Sequence, residues 1–197
     1  KPVSAMGMTK ALQEKIILSD DLTKDKTKFC CVRYGNVLGS RGSVIPLWNS
    51  KMEQNEPLPV THPDMTRFLL TLSQAIDLVF YSLKHGKGGE IFVKKAPSAT
   101  MVNLAKAYAE LKTGKKDYPL KYVGIRAGEK IDEVLVSHEE MRRAHEKKDH
   151  FVIERESNFD VTSLKKSLKT IEYDSGSVSH LSVKELKEIM KKLNWIL

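Results

Sequence analysis

The chain has 197 residues, 41% of them hydrophobic and 29% charged, which supplies a real core and excludes global disorder. A formal net charge of +8 invites an anionic partner, but the bases are spread among acids with no aromatic-rich nucleic-acid motif, which speaks against nucleic acid. There is no apolar run long enough to cross a membrane and no signal-peptide pattern, so membrane insertion is not expected.

Taken in chain order, the residues predict an α/β fold with strands and helices alternating. About Ala5 to Leu22 reads as a helix with Leu12, Ile16 and Ile17 on a shared side. "KFCCVRY" (Lys28 to Tyr34) suits a short buried strand. Gly35, Gly39 and Gly42 follow; Ser43 can then cap a helix that tolerates Pro46 in its first turn. "EPLPVTHPDM" is broken by Pro57, Pro59 and Pro63 and reads as loop or edge strand. "TRFLLT" is a strand. Ser73 is placed to cap a helix carrying Ile76, Val79, Phe80 and Leu83 and ended by Gly86.

"GEIFVKK" is another strand. Thr100 caps a helix with Leu104, Tyr108 and Leu111 inward and Gly114 after it, and "YPLKYVG" is a further strand. Glu139 to Asp149 is dense in charge and reads as a solvated helix face, and "EYDSGSVSH" as an irregular connection. Ser182 and Glu185 form a capping box before Leu186, Ile189, Met190 and Leu193.

The two cysteines, Cys30 and Cys31, are neighbours that a strand would point to opposite faces, so they are expected as buried free thiols in a reducing, cytoplasmic setting. The six histidines show no metal spacing, and no metal is expected.

The stretch "RYGNVLGSRGSVIPLW" resembles a dinucleotide turn only weakly. The spacing of Gly35, Gly39 and Gly42 is not G-x-G-x-x-G, and Asp64 lies farther along than the usual ribose acid, after a Pro-broken stretch. A plain strand-end turn is the simpler alternative. Asn36, Arg41 and the helix start at Ser43 nevertheless suit a nucleotide diphosphate, since a helix start favours an anion and a guanidinium clamps phosphate.

"KPVSAMGMTK", "RYGNVLGSRGSVIPLW", "DMTRFLLT", "IFVKKAP" and "RAGEKIDEVLVS" together resemble the UDP-N-acetylglucosamine 4,6-dehydratases of bacterial surface-polysaccharide synthesis, 5-inverting members included. These are extended short-chain dehydrogenase/reductases. The resemblance runs over most of the chain and implies its C-terminal part: residues 1–56 as the remainder of a Rossmann-like domain with the substrate loop, and 57–197 mainly as the substrate-binding domain, with strands returning to the sheet. The Gly-rich NADP(H) turn of the family is not in this sequence. NADP, a UDP-sugar substrate and a homo-oligomer are implied for the intact enzyme.

The resemblance also implies roles. Lys10 matches the lysine of the family's Y-x-x-x-K pair, and Met6 stands where the tyrosine would be. A thioether relays no proton, so Met6 is expected to have no acid/base role; an M-G-x-T/S-K pattern occurs in the 5-inverting branch. Tyr34, Gly35 and Val37, with Lys10, would lie near the cofactor. Asn36, Arg41, Ser43 and Val44 match the substrate loop, Thr66 and Arg67 a segment approaching the nucleotide, and Arg126 and Glu129 an arginine–acid pair for diphosphate and ribose. Each has a plainer reading: Lys10 a surface lysine, Arg41 an exposed turn residue, Arg67 a rim charge, Arg126 and Glu129 an ion pair at the start of a helix. The leading activity is UDP-N-acetylglucosamine 4,6-dehydration. UDP-hexose 4-epimerisation, or non-catalytic nucleotide-sugar binding by the isolated chain, are the alternatives.

Overall fold

The computed structural model describes residues 2–19, 27–40, 42–155 and 171–193. In chain order the elements begin with α1 (Ala5–Ile17), β1 (Cys31–Arg33), β2 (Asn36–Val37), α2 (Val44–Glu53), β3 (Leu58–Val60) and β4 (Thr66–Leu70). Then come α3 (Leu72–His85), β5 (Ile91–Lys94), β6 (Ser98–Thr100), α4 (Met101–Thr113) and β7 (Leu120–Tyr122). The last are β8 (Val134–Val136), α5 (His138–Met141), β9 (Ala144–Glu146), β10 (His150–Ile153), β11 (Tyr173–Asp174) and α6 (Val183–Lys192). The chain alternates between two compact units.

The first unit holds residues 1–35, 70–96 and 134–174. Its sheet has the order β1-β5-β10-β9. β1 and β5 are parallel, with Val32 opposite Phe92, while β10 is antiparallel to both β5 and β9. Strands β5 and β10, both beyond residue 56, therefore lie in the sheet that β1 begins. Helix α3 packs on β1 and β5. It approaches through Ala75, Leu78 and Ser82, small or slender side chains that allow close contact, while Ile76, Phe80 and Leu83 lie on its exposed side. Its N-cap is Thr71 rather than Ser73: Thr71 accepts from the Gln74 N–H and Gln74 answers the Thr71 N–H, a complete capping box. Gly86 closes the helix as expected.

The charged stretch from Glu139 to Asp149 is not one helix face. After the single turn of α5 it turns into a hairpin, because Phe151 and Ile153 alternate into a core with Ile91, Val93 and Val136 and leave the charges to the turn. Tyr173 and Asp174, inside the stretch read as irregular, pair with β8. Cys30 and Cys31 are free and half-buried rather than buried; desolvation, then the nearby Glu14 carboxylate, pushes the Cys31 thiol up to about 11, so it is no nucleophile.

The second unit holds residues 36–69, 97–133 and 175–197. β3 and β7 pair in parallel, and β2, β4 and β6 form a second small sheet in that order. Pro59 is accommodated because, among the described residues, β3 pairs only with β7; its carbonyl accepts from the Trp48 indole at 2.8 Å. Trp48, Leu58, Leu104, Tyr108, Leu186 and Met190 make the core, each large side chain contributing on the order of 1.5–3 kcal/mol by burial. Thr100 caps α4, Gly114 ends it in the left-handed conformation, and the Ser182–Glu185 capping box opens α6, all as read from the sequence.

Candidate functional site

In the second unit, the loop between β7 and β8 is pinned at both roots and presents a turn between them. At the near root, the Val123 and Gly124 N–H groups donate to Val60 and Thr61 carbonyls at 3.0 and 3.1 Å. At the far root, the Thr66 N–H donates to the Ile131 carbonyl at 2.9 Å. The Arg67 guanidinium donates to the carbonyls of Thr66 (2.6 Å), Ile131 (3.0 Å) and Lys130 (3.0 Å). Arg67 is thus committed to the backbone of the loop, with Glu133 a further 3.8 Å away. Thr66 is buried, and its hydroxyl donates to Asp132 at 2.5 Å.

Between those roots, Arg126 to Glu129 forms a turn closed by the Glu129 N–H on the Arg126 carbonyl at 3.0 Å, with Gly128 at φ 83°. A left-handed residue at that place in a turn favours glycine strongly. The Glu129 carboxylate caps the Arg126 N–H at 3.0 Å. The Arg126 guanidinium itself is 78% exposed and only loosely paired with Glu129 at 3.9 Å. It faces solvent with donors to spare. These two residues form a turn rather than an ion pair at the start of a helix.

Asn36 is exposed on β2, and Val37 beside it is half-buried. Gly39 and Gly42 both adopt positive φ, 74° and 72°. A Cβ built on Gly42 meets no protein atom within 4 Å, so within the protein it is the left-handed turn, not crowding, that favours glycine there. Ser43 occupies the N-cap of α2, yet its hydroxyl makes no capping bond; it is buried without a partner among the described residues. Val44 opens α2 and is half-buried. Arg41 lies outside the described residues.

In the first unit, α1 presents Met6, 69% exposed, and Lys10, also exposed and with no hydrogen bond or ion pair among the described residues. Leu12 and Ile16 are exposed too, and the helix buries no side chain fully. An ionic clamp holds it instead. Arg33 donates from Nε to Glu14 at 2.8 Å, from Nη1 to Glu140 at 2.9 Å, from Nη2 to Glu140 at 2.7 Å, and to the Leu135 carbonyl at 3.0 Å; a further Nη2 contact reaches Glu14. Glu14 lies one helical turn beyond Lys10, so the clamp fixes the height and rotation of the Lys10 face. Arg33 also precedes Tyr34, which is 41% exposed, and Gly35.

Met6, Lys10, Tyr34 and Gly35 thus fall in one unit, and Asn36, Val37, Ser43, Val44, Thr66, Arg67, Arg126 and Glu129 in the other. Reading from the sequence missed Arg33, Glu14, Glu140, Asp132 and Ser175. One signal was available: a charged residue inside the apolar run "KFCCVRY" demands a partner. Among the described residues no group of histidine, cysteine or carboxylate side chains is arranged to hold a metal, and no helix is long and apolar enough to cross a membrane.

Residues 1–155 match the profile of a family described as polysaccharide biosynthesis protein. Over 203 aligned residues the chain is 39% identical to a UDP-glucose 4-epimerase of Rickettsia bellii, covering 99% of this chain and 59% of that protein. A solved structure described as Pen from Bacillus thuringiensis superposes with a TM-score of 0.84 at 34% identity, over 97% of this chain and 58% of that one. A dTDP-glucose 4,6-dehydratase from Bacillus anthracis, in complex with NAD, gives a TM-score of 0.56 at 21% identity over 65% of this chain and 42% of its own, a likeness of fold. The chain therefore spans under two thirds of the length of these relatives. Its mixed α/β architecture is that of the extended short-chain dehydrogenase/reductases, as the sequence implied.

Proposed function

The chain belongs to the polysaccharide biosynthesis protein family, and from that premise we propose that it forms the nucleotide-sugar-gripping part of a UDP-N-acetylglucosamine 4,6-dehydratase. The observation that carries the proposal is the Arg126–Glu129 turn: a solvent-facing guanidinium and a carboxylate, three residues apart, on a loop pinned at both roots. Arg126 donates to diphosphate oxygens. Glu129 accepts from ribose hydroxyls. Asn36 bonds the sugar or phosphate, with Arg41, Ser43 and Val44 completing that loop. Charge-assisted bonds of this kind are the strong ones in nucleotide recognition.

Lys10, Tyr34 and Gly35, which the family resemblance assigns to the cofactor, belong to the first unit. A nicotinamide dinucleotide, NADP on this reading, supplies the acceptor for hydride from C4 and the donor for its return to C6. Lys10, exposed and without a hydrogen bond or ion pair among the described residues, fits a donor to the cofactor ribose and a positive charge for the C4 oxygen. The spacing of Gly35, Gly39 and Gly42 is not that of a pyrophosphate turn, so on this reading the neighbouring residues serve the ribose–nicotinamide end. Met6 moves no proton, and the base at C4 belongs to another part of the enzyme. Water leaves across C5 and C6.

The name of the Rickettsia relative favours a second reading, UDP-hexose 4-epimerisation by the same grip. Mass spectrometry of the product formed from UDP-N-acetylglucosamine by the whole enzyme separates the two. Loss of one water supports dehydration, and a mass-neutral isomer supports epimerisation. If neither forms and UDP does not bind, the nucleotide-sugar proposal is refuted.

A further inference from the structure

Ser175 sits far along the chain from the Arg126–Glu129 turn, yet it closes the loop that carries it. The residue is fully buried. Its hydroxyl accepts from the Glu133 N–H at 2.8 Å and lies 2.7 Å from the Thr66 hydroxyl. Thr66 has one hydroxyl proton, and that proton is committed to the Asp132 carboxylate at 2.5 Å. The Ser175 proton is therefore left for Thr66, whose hydroxyl lies at 2.7 Å and whose carbonyl also accepts from Ser175 at 3.3 Å. A directed chain results: Glu133 N–H to Ser175, Ser175 O–H to Thr66, Thr66 O–H to Asp132. It begins and ends on adjacent residues of the loop.

The backbone of Ser175 reinforces the ring. Its N–H donates to the Glu133 carbonyl at 2.9 Å, and its own carbonyl accepts from the Ser98 hydroxyl at 2.6 Å and lies 3.1 Å from the His180 Nε2. A Cβ on Gly176 would come within 2.8–2.9 Å of the Asp132 carboxyl group, so a larger residue there would have to displace the carboxylate that Thr66 holds. Arg67 binds the carbonyls of Lys130 and Ile131 alongside. All of these groups lie in the second unit.

We infer that Ser175, with Thr66 and Asp132, is a positioning residue for the nucleotide-gripping turn. The ring holds Asp132 and Glu133 in place and so sets the angle at which Arg126 and Glu129 present their charges. The inference rests on the reading that this turn grips the nucleotide. A buried ring with every donor placed is rigid because each group left without its partner keeps its full desolvation cost.

Amide hydrogen exchange and UDP calorimetry on the full chain test it, with Ser175→Ala and Thr66→Val as the disrupting variants and Thr66→Ser as the conservative one. Exchange of the Gly128 to Glu133 amides should quicken by about tenfold in both disrupting variants, as loss of one buried hydrogen bond implies. The α4 amides from Ala105 to Ala109 should not change. UDP should bind about fivefold more weakly, and Thr66→Ser should restore both readouts to within about twofold of the parent. Unchanged loop exchange in both disrupting variants overturns the inference. So does an equal rise in α4, which would make Ser175 a residue of general stability. Arg126→Ala is the separate control: if UDP affinity survives it, the nucleotide reading fails, while the exchange data still decide whether Ser175 holds the loop.

Discussion

Replacing Glu140 by glutamine isolates the charge in the clamp that holds α1. Glutamine keeps the side-chain acceptor of the Ser137 capping box, so the local turn survives; what goes is the carboxylate facing Arg33. Burial alone pushes the Glu140 pKa up, but the hydrogen bonds and charge of Arg33, with the Ser137 N–H and hydroxyl, outweigh it and hold the group at about 2 against an ordinary 4.5. At about 1.4 kcal/mol per pH unit, that gap corresponds to about 3 kcal/mol of stability at neutral pH. The figure is an upper one, because Arg33 is shared with Glu14. Since the folded pKa lies below the unfolded one, the contribution is nearly complete above about pH 4.5 and drains away as the pH falls towards about 2, with about half left near pH 3. Urea unfolding followed by circular dichroism should show Glu140→Gln less stable than the parent by about 2–3 kcal/mol near pH 7, the deficit shrinking by at least about half near pH 3. A deficit that stays constant across that range would refute the ionic clamp as its source.

Arg126→Ala should weaken UDP binding several-fold or more, a charge-assisted bond being worth about 1.5–3 kcal/mol before allowance for solvent exposure; calorimetry should find UDP alone affected as strongly as the UDP-sugar. In the whole enzyme, Lys10→Ala should cost on the order of 10²–10⁴-fold in turnover, as removal of a positioned electrostatic group does, whereas Met6→Ala should keep a substantial share. The assay is dehydration of UDP-N-acetylglucosamine with bound cofactor checked by absorbance, and equal loss in both variants would give Met6 a larger part than its thioether chemistry explains. Residues 1–197 by themselves should show no one-to-one NADP+ binding in calorimetry, since they offer no glycine cradle for its pyrophosphate; micromolar binding would contradict this.

Local chemistry was legible wherever it decides the outcome. The caps at Thr100, Gly86, Gly114 and Ser182–Glu185 stand as read, because a cap is settled by residues three or four apart. The prolines around Pro59 were read as loop or edge strand, and Leu58–Val60 forms a short strand paired with β7. Of the errors, one is local and one tertiary. Thr71 displaced Ser73 as a cap because Gln74, not composition, completes the box. The hairpin of β9 and β10 was hidden by its charges, while the two residues that dictate it, Phe151 and Ile153, need β5 beside them to reveal an inward face.

The candidate site divides the same way. A turn such as Arg126–Glu129 is visible in five consecutive residues, and its chemistry can be argued from them. The groups that hold the candidate residues in place are not local. Arg33 draws one carboxylate from 19 positions before it and another from 107 after it, and Thr66 meets Ser175 across 109. A lone arginine in an apolar strand signals that partners exist without saying where, because burial penalises an unpaired charge whatever the identity of its partner. A buried serine sends no signal at all, since in sequence it cannot be told from a turn residue. Side chains that would touch a ligand are therefore easier to nominate than those that aim them, and a substitution at Ser175 or Arg33 tests the part of the site that only the folded chain brings together.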